Sequence, residues 1–184
     1  VNRGLSCLLL WATVLVAAPV QARPALTVAV GEFVDESVDG FRVDAGRMHR
    51  EFATVLATVG AGRLRVIPVE QVEQAMRAQR LRPPDLLQPL AGVRVAAAVG
   101  ARWLVAGRWT ALEVDRPELP PVPDDLIRPV LVHAGLEVWV VDAAARRLVL
   151  RELFATTTIA TGNHTLQEAA RAVLRQAAAR VAGL

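Results

Sequence analysis

Residues 99–112 read V-G-A-R-W-L-V-A-G-R-W-T-A-L, and the fold follows from how this stretch is parsed. Gly100 follows an alanine-rich run and precedes an alternating one, the pattern of a helix stop leading into a strand. From Ala101 onward, Trp103, Val105, Gly107, Trp109 and Ala111 fall on one face. Leu104, Ala106, Arg108 and Thr110 fall on the other, because successive strand side chains point to opposite sides. The first face reads as core and the second as half polar. With helical patterns before it and strand patterns after it, this segment is expected to be the central strand of a sheet.

Toward the N-terminus, Leu90–Val99 reads as an alanine-rich helix that delivers the chain to this strand, preceded by an irregular stretch over 86–89. Pro83-Pro84 ends an earlier helix over Val69–Leu81, with Val72, Ala75 and Met76 inward. Proline donates no hydrogen bond and disfavours helix at the residue before it. Arg63–Pro68 is a short strand. Before it, Asp44 caps a helix whose stripe is Met48, Phe52, Val55, Leu56 and Val59, stopped by Gly60 and Gly62. Ala25–Phe33 is apolar on both faces, as in a strand buried within a sheet, and 34–43 is an acidic loop.

Toward the C-terminus, Arg116–Pro129 holds five of the eleven prolines, so it is a stiff connection and not a central strand. Val130–Asp142 alternates, with Val130, Val132, Ala134, Leu136, Val138 and Val140 set against Leu131, His133, Glu137, Trp139 and Val141. A turn over 143–146 leads to a third strand from Arg147 to about 155, extending irregularly through Thr158, and the three segments form a meander. Thr165 with Glu168 makes a capping box that opens a helix to about Ala182. The expected fold class is α/β (α+β), a mixed sheet in which a β-α-β-α-α front half leads to an antiparallel three-stranded meander and a C-terminal helix. The helices are expected mainly on one face, in a single domain over 23–184.

The chain has 184 residues and 53% hydrophobic composition, ample for one core. All 21 cations are arginines, so a high isoelectric point accompanies a formal charge of only +3. No block of like charges occurs, and no nucleic-acid partner is expected. Residues 1–22 are expected to be a cleavable signal peptide: Arg3 supplies positive charge, 8–18 an apolar core too short to span a bilayer, and Val20-Gln21-Ala22 the cleavage site. Stable membrane insertion after cleavage is not expected. The location is then periplasmic, with extracellular release as the alternative. Cys7, the single cysteine, begins the apolar run instead of following it, which argues against lipid anchoring. The mature chain is left without disulfides or thiolate chemistry.

Glu32, Asp35, Glu36, Asp39 and Asp44 cluster around the first loop, but not at calcium-loop spacing. They read either as a solvated loop or as an acid–base or cation site. His49, His133 and His164 are too scattered to form a ligand pair, and Ser37 lacks a nucleophile-elbow setting. No catalytic residue, metal or cofactor is expected. Arg108, His133, Glu137, Trp139, Arg147 and Arg151 fall on the polar side of the meander. They read either as a partner-binding face, in which an aromatic is flanked by arginines, or as cross-strand ion pairs on a wet sheet.

The segments T-V-A-V-G-E-F (27–33), L-R-V-I-P-V-E-Q-V-E-Q-A-M-R-A-Q (64–79), A-A-A-V-G-A-R-W-L-V-A-G (96–107) and L-E-V-W-V-V-D-A (136–143) occur in an order that resembles a known group. It is the bacterial envelope superfamily of TolB N-terminal, CsgG, FlgO and LpoB-like domains; F-V-D-E-S-V-D-G (33–40) also resembles a related group of small secreted proteins. The shared motifs are strands, a helix and glycine turns, so the resemblance implies a fold and an envelope role but no catalytic residue. Arg102 stands where the family usually has an acidic residue, and alanines follow Asp142 where it has glycine. The chain also lacks the acylated cysteine of CsgG and LpoB and the membrane-spanning hairpins of CsgG. The implied function is a non-enzymatic periplasmic module that binds or assembles with another envelope protein. The alternative is a small periplasmic hydrolase using loop 32–44, and self-association through the meander edge is a further reading.

Overall fold

A computed structural model describes residues 25–37, 45–115, 130–160 and 165–184. The elements are β1 (Leu26–Val30), β2 (Val34–Asp35), α1 (Ala45–Val59), β3 (Leu64–Val66), α2 (Val69–Ala78), a 3-10 turn (Pro83–Leu87), α3 (Pro89–Ala98), β4 (Trp103–Asp115), β5 (Val130–Asp142), β6 (Arg147–Ala160) and α4 (Thr165–Ala182). The leader, Asp39, the Asp44 cap, the proline-rich connection and the Thr165 side chain lie outside the described residues.

The strands form one mixed sheet in the order β3-β1-β4-β5-β6, with the short β2 also paired to β4. β1 runs parallel to β3 and β4, while β4, β5 and β6 are antiparallel neighbours. The 99–112 stretch therefore supplies the central strand, as its pattern predicts. Gly100 takes φ +67 at the end of α3, and the Ala101 amide donates to the Ala96 carbonyl at 2.9 Å. Glycine enters that left-handed conformation without a β-carbon penalty.

The helices divide between both faces, whereas the sequence pattern places them mainly on one. Handedness gives the reason. The connection from β1 through α1 steps outward to β3, and the connection from β3 through α2 and α3 steps back across β1 to β4. Two right-handed crossovers running in opposite directions must lie on opposite sides of the sheet. On the front face, α1 and α4 pack Met48, Phe52, Leu56, Val173, Leu174 and Val181 against Val28, Val105, Leu136 and Val138. On the back, Val72, Met76, Leu86, Val95 and Ala96 pack against Ala29, Leu104 and Ala106. Buried alanines at 169, 170, 177 and 178 line α4, and small side chains of this kind allow close approach.

Two irregularities set the phase of the centre. From Val30↔Val105 to Val34↔Arg108 one chain advances four residues while the other advances three, so β2 resumes β1 after one extra residue. Phe33, 1% exposed, lies there against Gly107, where a β-carbon would sit 3.3 Å from the Phe33 ring and 3.0 Å from the Glu137 carbonyl oxygen. Phe33 also meets Phe52 edge-on at 5.2 Å. A register shift between Trp109 and Ala111 then brings Leu112 into the front core beside Trp109 and leaves out Ala111, which simple alternation assigns to that core.

In the β5–β6 turn, Arg146 adopts φ 51, a left-handed backbone that costs a residue bearing a β-carbon. Arg146→Gly should raise stability by about 0.5–1 kcal/mol, the steric gain being partly offset by a freer unfolded chain. Urea unfolding checks this as a higher midpoint at unchanged slope; an unchanged or lower midpoint contradicts it.

Candidate partner-binding face

Back-face packing on β4 ends at Ala106. Beyond it, the back of the β4–β5–β6 meander carries Leu153 at 58% and Ile159 at 70% exposure. Trp139 points to this side, in register with Ala106 on β4 and Arg151 on β6. It is nevertheless only 6% exposed. The guanidinium carbons of Arg108 and Arg151 lie 5.5 and 5.4 Å from its ring centroid, so the two cations lie over the indole beyond the packed cluster of the described back-face helices.

Glu137, opposite Arg108 in the ladder, holds both arginines in place. Its Oε2 accepts from Arg108 Nε at 2.9 Å and its Oε1 from Arg151 Nε at 2.7 Å. Arg108 Nη1 reaches further, to Glu36 Oε2 at 2.8 Å. Glu36 is there because β2 runs beside β4, and its own amide donates to the Trp109 carbonyl at 3.0 Å. Burial alone would raise the Glu137 carboxyl, but the hydrogen bonds from Arg151 and Arg108 outweigh it and the net shift is downward. The hydrogen bond to Glu137 correspondingly raises Arg108, against a smaller opposing effect of burial.

Of the six residues singled out by alternation, the structure joins Arg108, Glu137, Trp139 and Arg151 into one array. His133 lies on the same side but further along, with Nδ1 3.0 Å from Thr157 Oγ1. Arg147 leaves the row, because a bulge at Val140/Val141 shifts the alternation and pairs it with Asp142. Glu36 joins the array although its sequence assigns it to the acidic loop; a two-residue strand is too short for periodicity to show. A second ion pair also escapes a local reading. Arg102 donates to Asp142 through Nε at 3.0 and 3.1 Å and Nη2 at 2.9 Å, and Asp142 accepts from the Ala144 and Ala145 amides at 2.9 Å each. These contacts, the Arg102 hydrogen bond foremost, hold the Asp142 carboxyl down at about 2.

The acidic loop serves structure where it is described. Asp35 accepts from the Ser37 amide at 3.0 Å and from its hydroxyl at 2.6 Å, and Glu36 holds Arg108. A doubly wound sheet commonly opens a ligand crevice beyond the strand ends where its crossovers diverge. Here the chain continues along β4 instead, with the Gly31 amide bound to the Val105 carbonyl at 2.8 Å. His49, 1% exposed, has Nε2 3.6 Å from Glu73 Oε1, which also lies 3.6 Å from Arg50 Nη1. Among the described residues no three metal-ligating side chains gather, and no helix is long and apolar enough to cross a membrane.

No family model matches the chain, and no curated protein matches it by sequence. Solved structures do share its fold. The lipoprotein GNA1162 from Neisseria meningitidis aligns at TM-score 0.55 and 13% identity, over 83% of this chain and 98% of that one. The hypothetical protein CT253 from Chlamydia trachomatis aligns at 0.56 and 12%, over 86% and 96%. LpoB from E. coli aligns at 0.52 and 12%, over 74% and 59%. The fold is thus one also found in a bacterial lipoprotein.

Asp142 and Glu137 both titrate lower in the folded chain than an ordinary carboxyl, so the unfolded state binds protons more readily. Stability should be fully present above about pH 4, the ordinary carboxyl value, and fall as pH drops toward 2, the folded Asp142 value. Asp142→Asn should flatten this acid limb in urea titrations between those values. Parallel limbs for wild type and variant contradict the assignment.

Proposed function

We propose that the chain is an exported, non-enzymatic envelope protein that binds another protein through the back face of its meander. The Arg108–Trp139–Arg151 array carries this reading. Arginine and tryptophan are the side chains that most often dominate interface energetics. Here the arginines are already oriented by Glu137 and by the ring, so ordering them on binding costs little. Exposed Leu153 and Ile159 add apolar surface on the same side. Export rests on the expected signal peptide, and the envelope setting on the resemblance to TolB, CsgG, FlgO and LpoB-like domains. The shared fold of a Neisseria lipoprotein and of LpoB is consistent with it. The hydrolase reading has less support, since Asp35 and Glu36 are engaged in turn and ion-pair contacts.

Site-specific photo-crosslinking in the producing cell tests the face. A photoreactive residue at Leu153 should yield a discrete heterologous adduct that weakens severalfold with Arg108→Ala, while the same residue at Thr58 on α1 should not. Equal adducts from both positions, or none from Leu153, would sink the reading. For export, N-terminal sequencing of the mature protein should begin at Arg23; an uncleaved start contradicts the leader.

A further inference from the structure

We propose that the partner contributes an extended segment that lies along β6 and sets a carboxylate on Arg151. This rests on the back-face reading above and adds what the partner must look like.

Three observations converge. β6 ends the strand order, so among the described residues its outer backbone edge pairs with no strand. Past its bulge, from Leu150 to Ala160, it carries no proline and no further bulge, and only Arg151 and Glu152 are charged. Natural sheets usually blunt an edge of such length, because its open amides and carbonyls accept any extended chain.

Next, the back-face row of β6 is 151, 153, 155, 157 and 159, in unbroken register with β5. Arg151 is followed at strand spacing by exposed Leu153, with exposed Ile159 at the far end. An added strand alternates likewise, so an acidic side chain beside Arg151 places its residue two positions away beside Leu153.

Last, the two arginines differ in what they leave open. Arg108 uses Nε, Nη1 and Nη2 on Glu137 and Glu36. Arg151 uses only Nε, on Glu137, and its terminal nitrogens make no hydrogen bond among the described residues. Its side chain is 57% exposed yet held against Trp139. A fixed guanidinium with both terminal nitrogens open is a fork for a carboxylate.

Charge disfavours a second copy of this chain in the same place. The only carboxylate on β6, Glu152, alternates to the front face and is bound to Arg180 at 2.9 Å. A pairing β6 would bring arginine to the fork and no acid.

The test is a titration of the full chain, followed by amide NMR, with two blocked octapeptides that alternate threonine with valine. One carries glutamate at a central valine position and its twin carries glutamine there. The glutamate peptide should shift amides across 147–160 and bind at least fivefold more tightly than its twin. Arg151→Gln should remove that ratio, and Leu153→Arg should weaken both peptides while the far-ultraviolet spectrum stays unchanged. Equal binding of the twins, shifts confined to other elements, or a dimer in sedimentation that Leu153→Arg dissociates would overturn the proposal. If the peptides fail while Leu153 still crosslinks a protein, the strand-and-carboxylate inference falls alone; if crosslinking fails too, the face itself is wrong.

Discussion

The length of the helices that cross the back of the sheet governs the rest of this structure. α2 and α3 have ten residues each, and ten helical residues span only about 15 Å. β4, β5 and β6 have 13 or 14, which extends each strand to roughly 43–46 Å. The return crossover from β3 to β4 can therefore shield only the first part of the sheet. The front face has no such shortage, since α4 alone has 18 residues and packs on both β5 and β6. One strand, β4, thus passes from burial on both faces at Leu104–Ala106 to burial on one at Trp109.

Where shielding ends, the sequence places a tryptophan and two arginines. An indole left open on a sheet would invite unspecific association; under two guanidinium groups it is nearly as buried as the core. Cations over a ring at an exposed site are worth about 0.5–1 kcal/mol each, too little to account for the fold. Their effect is positional. Glu137 anchors both Nε atoms, the Trp139 ring centroid lies 5.5 and 5.4 Å from the two guanidinium carbons, and Glu36 closes off Arg108. What remains accessible is the outer end of Arg151 and the apolar row beyond it.

Much of the architecture was legible in alternation and glycine placement. The run at 130–142 has the bounds its pattern predicts, and Gly100 stops α3 as read. β6 runs to Ala160, past the point where its pattern turns irregular, because Thr156, Thr157 and Thr158 keep their pairing with β5. Helix placement was not legible, since an apolar stripe shows that a helix is buried but not on which side of a sheet. The order of strands with right-handed crossovers decides that. In the candidate face, residues at two-step spacing on one strand were readable; bulges were not. One bulge removed Arg147 from the row, and the irregular step after β1 brought in Glu36. Arg102 stood out only as a departure from the pattern of the resembled superfamily, and its pairing with Asp142 across 40 residues gives it a structural role.

The central claim is that the back of the meander, unshielded by helices, is where another protein docks. Amide hydrogen exchange of the chain alone and in complex with the protein recovered by crosslinking tests it most directly. The account predicts new protection along β6 and at the Arg108 end of β4, with α1 and α4 unchanged. Protection confined to α1 and α4, with β6 exchanging as in the free chain, would contradict it.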